Sequence, residues 1–160
     1  MESVKQEAHA EGNLTQWVTF RLDGETYGID VMSVQEVLRV PEITPVPGVP
    51  EHVLGIINLR GKVVTVLDMR SRFGLPRVDP DDASRIIIIE IGDDVVGVLV
   101  DRVTEVAYLN ESSIESAPDV GNRQSLQFIR GVHVNDKQLL ILVDFAGLLE
   151  DEERGLHAAP

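Results

Sequence analysis

The chain contains two copies of one sequence pattern, and this duplication limits its possible folds more than any other feature. Shifting the sequence by 69 positions aligns residues 18–37 with residues 87–106 without a gap, and five aligned residues are identical. The identical pairs are Gly28/Gly97, Val31/Val100, Val34/Val103, Glu36/Glu105 and Val37/Val106. We therefore predict two half-sized units that are built in the same order.

A second register relates the later part of each copy, and it contains the main difference between them. The aligned pairs are Gly55 with Gly131 and Asp68 with Asp144, thirteen residues apart in both copies. Between these residues the first copy has NLRGK at 58–62, whereas the second has the unrelated NDKQ at 135–138. A duplicated scaffold does not need this difference in order to fold, so residues 58–62 are the first place to look for function.

Composition limits the class of protein. A chain of 160 residues that is 43% hydrophobic can bury a core large enough for one domain or two small, closely packed ones. The net charge of −13 argues against nucleic acid or an anionic membrane surface as a partner, because both require a concentrated basic face. The absence of cysteine excludes disulfides, thiolate catalysis and thiolate metal sites.

Neither a secretory signal nor a membrane span is predicted from the sequence. The longest apolar run, Ile86–Ile89, is far too short to insert into a membrane, and the first fifteen residues lack the apolar segment of a secretory signal. We expect a cytoplasmic protein whose residues 1–15 form a flexible lead and whose residues 150–160 form a flexible tail. Residues 16–149 are expected to form a single domain made of two intimate β-barrel subdomains.

Strand and turn signals recur in both copies. Val18–Leu22 alternates apolar and polar residues, and Asp23-Gly24 supplies the turn of a hairpin, which Gly92-Asp93 repeats in the second copy. Ile86–Ile91 is apolar on both faces apart from one residue, so it is predicted to be a central strand covered on two sides. Arg60-Gly61 is a candidate two-residue turn, although arginine suits a positive φ poorly and a slightly longer turn is the alternative.

Helical signals are scarce and short. Met32–Arg39, a stretch after Asp68, and 144–149 are the candidate helices, and Asp68 and Asp144 are placed as N-caps. Many short strands predict an all-β fold, and two five-stranded barrels with a few short helices, one barrel per copy, would satisfy the repeat. A single large sheet is the alternative. The four prolines of Pro41–Pro50 predict an extended connector.

No pattern in the sequence indicates catalysis or a bound cofactor. The four histidines are scattered, and no spacing of histidine and acidic residues resembles a metal site. Asp79, Asp81 and Asp82 lack the glycine and the terminal glutamate of a calcium loop, so a solvated loop is the better interpretation. Asp68 and Asp144 could form a carboxylate pair, but their matched positions favour helix capping.

Two valine pairs and one arginine are the residues that stand out. Val34/Val37 and Val103/Val106 are each spaced three apart, which predicts short helical turns that cover a core. Alternatively, the two turns converge where the barrels meet and line a groove for an amphipathic helix. Arg60 would project from its turn as an ordinary surface residue, but its absence from the second copy favours a role in an interface.

The sequence resembles the CheW family of bacterial chemotaxis coupling proteins over residues 16–149. The resemblance is carried by GIINLRGKVVTVLDMRSRFG, YGIDVMSVQEVLRV and VVGVLVDRVTEV, of which the NLRG core is the most specific. It implies two five-stranded SH3-like barrels and a non-enzymatic adaptor. Such an adaptor joins the cytoplasmic tips of methyl-accepting chemotaxis receptors to the regulatory domain of the histidine kinase CheA.

The resemblance also implies which residues bind each partner. A receptor tip helix is expected at the groove between the barrels, on Val34, Glu36, Arg60, Val103 and Val106, with Glu36 and Arg60 as a polar pair at its rim. Kinase binding is placed on the hairpin from Gly55 to Val66, at Gly55, Ile57 and Val64. The chain departs from some relatives at Thr65, where proline is common, and at Arg85, where an aliphatic residue is common.

Other functions remain as alternatives. An adaptor of a parallel chemosensory pathway, for surface motility or other signalling, would carry the same signatures. A small-ligand sensor would need a pocket between the barrels, and a hydrolase would need the carboxyl groups of Asp68 and Asp144 close together.

Overall fold

A computed structural model describes residues 14–116 and 128–145 of the chain, and these residues form ten strands, one α-helix and two 3-10 helices. The strands are β1 (Leu14–Leu22), β2 (Glu25–Asp30), β3 (Val34–Arg39), β4 (Val53–Leu59), β5 (Lys62–Asp68), β6 (Arg85–Ile91), β7 (Asp94–Val100), β8 (Arg102–Asn110), β9 (Ile129–Asn135) and β10 (Gln138–Val143). The helices are α1 (Met69–Arg72) and the 3-10 helices Val31–Ser33 and Glu111–Ser113. The predicted tail at 150–160, nearly all of the predicted lead, and the predicted helix at 144–149 beyond residue 145 lie outside the described residues.

The strands form two five-stranded sheets, and each sheet takes strands from both copies of the repeat. The first sheet has the order β8-β1-β2-β10-β9, and the second has the order β3-β6-β7-β5-β4. The hairpin β1–β2 of the first copy is thus completed by strands of the second copy, and the hairpin β6–β7 by strands of the first. The prediction of one barrel per copy is wrong, because the chain crosses to the other sheet after each of these hairpins.

The predicted hairpin turns are confirmed. Asp23 and Gly24 have φ values of 53° and 84°, and Arg60 and Gly61 have φ values of 51° and 84°. Two consecutive positive φ values give the twist that a two-residue hairpin requires. Gly92, with a φ of 61°, begins the turn between β6 and β7.

The predicted helix over Met32–Arg39 is wrong. A 3-10 turn ends at Ser33, and β3 follows with alternating partly buried and exposed residues that pair antiparallel with β6. In a strand, residues three apart lie on opposite faces. Val37 is accordingly 40% exposed, so Val34 and Val37 do not cover a core together as predicted.

Most of the buried apolar side chains form one cluster, the shared core, to which both sheets contribute. Its fifteen buried residues are Val18, Phe20, Leu22, Ile29 and Val143 from the first sheet, Val53, Leu67, Ile87, Ile89, Val96, Val98 and Val100 from the second, and Met69, Phe128 and Phe145 from connecting segments. Smaller clusters lie within each sheet. The one in the first sheet has three buried residues, Trp17, Leu109 and Leu142.

Strand β6 confirms the prediction of a central strand that is covered on both faces. Ile87 and Ile89 belong to the shared core, whereas Ile86 and Ile88 belong to the cluster within the second sheet. All four side chains are fully buried. The strand therefore joins the shared core to the interior of the second sheet.

Close packing explains why glycine recurs at matched positions. Pro41–Pro50 forms the predicted connector, and within it Thr44 makes a two-bond bridge to Ile56 beside Gly55. A Cβ atom on Gly55 would lie 2.1 Å from the carbonyl oxygen of Thr44. The second copy repeats the bridge between Glu115 and Val132, beside Gly131.

The glycines at the centres of β2 and β7 give a graded test of this packing. A Cβ on Gly97 would lie 2.9 Å from Cγ2 of Ile86, a branched atom fixed near the backbone, whereas one on Gly28 would meet the terminal Cδ2 of Leu142 at 3.1 Å. We expect Gly97→Ala to lower the free energy of unfolding by about 1–3 kcal/mol, as overpacked cores do. Gly28→Ala should cost less, because the end of a leucine side chain can move.

Chemical denaturation of both variants and the wild type would measure these differences. Equal losses for the two variants, or a larger loss for Gly28→Ala, would contradict the packing account.

Candidate protein-docking surface

Arg60 lies at the tip of the β4–β5 hairpin in a backbone conformation that arginine rarely adopts. Its φ of 51° belongs to the left-handed region, which asparagine and aspartate tolerate better. The turn is held by Asn58, whose Oδ1 accepts a hydrogen bond of 2.8 Å from the backbone N–H of Gly61. The hairpin therefore holds the Arg60 side chain outward, where it is 68% exposed.

Glu36 on β3 and Arg60 form a two-pronged ion pair, as predicted. Nη1 of Arg60 donates to Oε1 of Glu36 over 3.2 Å, and Nη2 of Arg60 donates to Oε2. The hydrogen bond from Arg60 lowers the pKa of the Glu36 carboxyl below its ordinary value, and the same bond raises the pKa of Arg60. The pair fixes the arginine fork beside β3.

The second copy cannot form an equivalent pair. The residues that match Glu36 and Arg60 are Glu105 and Asp136, and both are acidic. Asp136 occupies its turn with a φ of 56°, nearly the value of Arg60. The first turn residue therefore has the same φ in both copies, whereas its charge differs, and only the first copy continues with a second positive φ, at Gly61.

The three valines of the predicted site lie on the two strands that follow the sheet crossings. Val34 begins β3 and Val103 is the second residue of β8, and both are partly buried against the shared core. Val106, further along β8, is 40% exposed. The described structure thus places Val34 and Val103 at the margin of the shared core and joins Glu36 to Arg60 by a direct contact.

Two further exposed apolar residues lie close in sequence to the predicted set. Met32 is 87% exposed and lies two residues before Val34, and Tyr108 is 58% exposed and lies two residues after Val106. Alternation in β8 places Tyr108 on the same face as Val106, and a strand assignment for this segment would have found it. Nothing in the sequence marks Met32, because a single 3-10 turn has no clear pattern.

The residues predicted for kinase binding are buried, and two of them belong to the apolar cluster formed by the second sheet. The side chains of Ile57 and Val64 are 3% and 4% exposed and belong to the cluster within that sheet. Gly55 is buried beneath the connector. A partner at this hairpin would instead contact the outward residues, among which Val63 is 72% exposed.

The acidic residues considered for other chemistry have local structural roles. Asp68 caps α1, accepting the backbone N–H of Arg70 over 3.1 Å, and burial raises its pKa. Asp81 accepts the backbone N–H of Ala83 and of Ser84 within its own turn. Over residues 14–116 and 128–145, no group of histidine and acidic residues is arranged to hold a metal ion, and no helix is long and apolar enough to cross a membrane.

Comparison with known proteins identifies close relatives of this architecture. A family model described as the CheW-like domain matches residues 16–153. The chemotaxis protein CheW of Bacillus subtilis is 36% identical over 143 residues, covering 89% of this chain and 91% of that protein. CheW of Klebsiella aerogenes is 33% identical over 141 residues, covering 88% of this chain and 85% of that protein.

A solved structure agrees with the sequence relatives. The crystal structure of the scaffolding protein TtCheW from Thermoanaerobacter tengcongensis matches with a TM-score of 0.76 and 39% identity, covering 81% of this chain and 88% of that one. That protein consists of two SH3-like barrels. The predicted all-β fold of two five-stranded SH3-like barrels is therefore confirmed.

The ion pair predicts how Glu36 titrates. Because Arg60 lowers the pKa of Glu36, the contribution of the pair is present above the ordinary glutamate pKa and is lost as the pH falls through the lowered value. In Arg60→Ala the carboxyl should titrate at a higher pH than in the wild type. Carbon-detected NMR of the side-chain carboxyl would measure both values.

Arg39→Ala is the matched control, because it removes the same charge from an exposed position on the same strand as Glu36. It should leave the titration of Glu36 nearly unchanged. An identical Glu36 titration in the wild type and in Arg60→Ala would show that the pair does not persist in solution.

Proposed function

The chain belongs to the CheW-like family, and from this we propose that it is a non-enzymatic chemotaxis scaffold that couples the cytoplasmic tips of transmembrane chemoreceptors to the regulatory domain of the histidine kinase CheA. In this role it lets receptor occupancy control kinase activity. It acts in the cytoplasm and reaches membrane receptor arrays through its partners. The alternative is the same adaptor role in a parallel chemosensory pathway, such as surface motility.

The observation that carries the proposal is the single Glu36–Arg60 pair in an otherwise duplicated fold. In the matched turn, aspartate occupies the first position at nearly the same φ. Folding therefore does not require arginine at this φ. Residues in sparsely populated backbone conformations are often found at functional positions. An arginine fork held outward by a carboxylate supports a docking role, because arginine is enriched among the residues that dominate interfaces.

The proposed receptor surface combines this pair with apolar side chains on two strands. Val34, Val103 and Val106 supply apolar contacts, while Glu36 and Arg60 supply directional hydrogen bonds. An amphipathic helix, such as a receptor tip, buries its apolar face and pairs its polar flank on a surface of this kind. Met32 and Tyr108 enlarge the apolar area available to it.

The proposed kinase surface is the β4–β5 hairpin. Since Ile57 and Val64 fill the interior of the second sheet, we infer that they support the hairpin rather than contact the kinase. Gly55 lets the connector lie against β4. Contact with the regulatory domain then depends on the outward residues, above all Val63, which is 72% exposed.

Two substitutions test the receptor surface. Arg60→Ala removes the fork, and Val106→Asp places a charge among the apolar contacts, so each should weaken binding of a purified receptor tip fragment by about five-fold or more, as loss of a hot-spot residue does. Isothermal titration calorimetry would measure the affinities. Val106 is a better target than Val34, because Val34 packs against the shared core and its replacement by aspartate would also disturb folding.

Each variant has a control elsewhere in the first sheet or its turns. Lys137→Ala removes a cation from the matched turn of the second copy, and Val134→Asp changes a valine that is 54% exposed on β9. Both controls should bind the receptor tip like the wild type, and circular dichroism should be unchanged in all four variants. Wild-type affinity in both Arg60→Ala and Val106→Asp would remove the receptor assignment.

A third substitution tests the kinase surface. Val63→Asp should weaken binding of the CheA regulatory domain, measured in the same way, while binding of the receptor tip is preserved. Val134→Asp again serves as the control, since it places the same charge on a β-hairpin of the other sheet. If Val63→Asp left kinase binding intact, the hairpin would not be the kinase surface.

A further inference from the structure

The chain crosses between the sheets at two places, and one crossing is a single residue. Asp101 alone separates β7 of the second sheet from β8 of the first. Val103, a residue of the proposed receptor surface, follows two positions later. Because β8 pairs with β1 along its length, the position of Val103 and Val106 relative to Glu36 and Arg60 depends on how the first sheet is oriented on the second.

Arg70 of α1 holds this crossing by a dense set of polar contacts. Nε of Arg70 donates to Oδ1 of Asp101 over 2.7 Å, and Nη2 donates to Oδ2 over 2.7 Å. Nη1 donates to the carbonyl oxygen of Pro76 over 2.9 Å and lies 3.5 Å from Oδ1 of Asp23. The Arg70 side chain is only 11% exposed, so the fork is held in one geometry.

Asp101 is also hydrogen-bonded to the β1–β2 hairpin of the first sheet. The backbone N–H of Asp23 donates to Oδ2 of Asp101 over 2.9 Å, and the N–H of Asp101 donates to the carbonyl oxygen of Arg21 over 3.1 Å. Burial raises the pKa of Asp101, but the bonds from Arg70 and Asp23 outweigh it and hold that pKa below its ordinary value. The carboxylate is thus charged and shared between the two sheets.

The described polar contacts at the other crossing are fewer and more exposed. Asp30 ends β2, and its carboxylate accepts the N–H of Met32 over 2.9 Å within its own turn. Its ion pair with Arg130 spans 3.9 Å between side chains that are 34% and 49% exposed. Exposed pairs at this distance contribute little, so the polar contacts at Asp101 are the stronger of the two sets, while Val31 in the other crossing packs against the shared core.

We propose that Arg70 is a positioning residue that sets the relative orientation of the two sheets and thereby the spacing between the two halves of the receptor-docking surface. This inference rests on the proposed function for the identity of the partner. Arg70 acts on β8 through Asp101, and its polar partners Asp101, Pro76 and Asp23 lie outside the docking surface. A receptor tip that spans both sheets binds well only when the spacing is correct.

Loss of Arg70 should widen the range of orientations without unfolding either sheet, because the shared core remains. If the fraction of molecules with the correct spacing fell to about one fifth, the apparent dissociation constant would rise about five-fold. A merely stabilising contact would instead lower the melting temperature and leave the orientation and the affinity of the folded protein unchanged.

The experiment compares inter-sheet distances in Arg70→Met and the wild type. The chain has no cysteine, so cysteines introduced at Val63 and Val134 give two specific spin-label sites, one on each sheet, at residues 72% and 54% exposed. Pulsed electron–electron double resonance should show a broader distribution of label-to-label distances in Arg70→Met than in the wild type. Arg77→Met removes the same charge from an exposed position beyond α1 and should leave the distribution unchanged.

Receptor-tip affinity is then measured by calorimetry on the unlabelled proteins, well below their melting temperatures. A broader distribution together with an affinity loss of about five-fold supports the positioning role. Asp101→Asn removes the charge and keeps the side-chain shape, so it gives the same comparison if Arg70→Met does not fold.

Three results would count against these ideas in distinguishable ways. An unchanged distance distribution would overturn the role of Arg70 in orientation. A broadened distribution with unchanged affinity would overturn its role in docking. A wild-type chain that binds no receptor tip would overturn the proposed function, while the distance measurement would still decide whether Arg70 orients the sheets.

Discussion

The structure depends above all on the shared core, which neither sheet can complete alone. Fifteen buried residues of this cluster come from both sheets and their connections, whereas the cluster within the first sheet has three and that within the second has six. Burial of apolar area is the main favourable term in folding, and units this small are marginal by themselves. The two sheets are therefore one folding unit, and the proposed docking surface includes Val34 and Val103, which pack against this shared core.

The sequence predicts the parts of the fold that depend on local chemistry. Asp23-Gly24 and Arg60-Gly61 form the expected turns, and the apolar run of β6 is central and covered on both faces. The exchange of hairpins between sheets was not predictable, because a repeat shows which segments are alike and not which segments pair. Likewise, a spacing of three between valines suggested a helix, but Val34 begins a strand whose pairing with Ile89 overrides that local preference.

Some features of the candidate site were likewise predictable from the sequence, and others were not. The pairing of Glu36 with Arg60 followed from the family resemblance and is present in the structure. The junction of Arg70 with Asp101 was missed, since its two residues are 31 positions apart and neither belongs to a recognisable motif. The inward orientation of Ile57 and Val64 was missed because the faces of a hairpin cannot be assigned before its sheet is known.

The exchange of hairpins has a consequence for how such a chain could arise. A polypeptide with only one copy of the repeat would contain a hairpin that its own remaining strands do not complete. It could finish both sheets only by associating with a second identical chain, each donating its hairpin to the other. Duplication and fusion of the gene for that polypeptide would join the two chains of such a homodimer into a single chain with the same two sheets. Only after fusion could the two matched turns differ, with Arg60 in the first copy and Asp136 in the second.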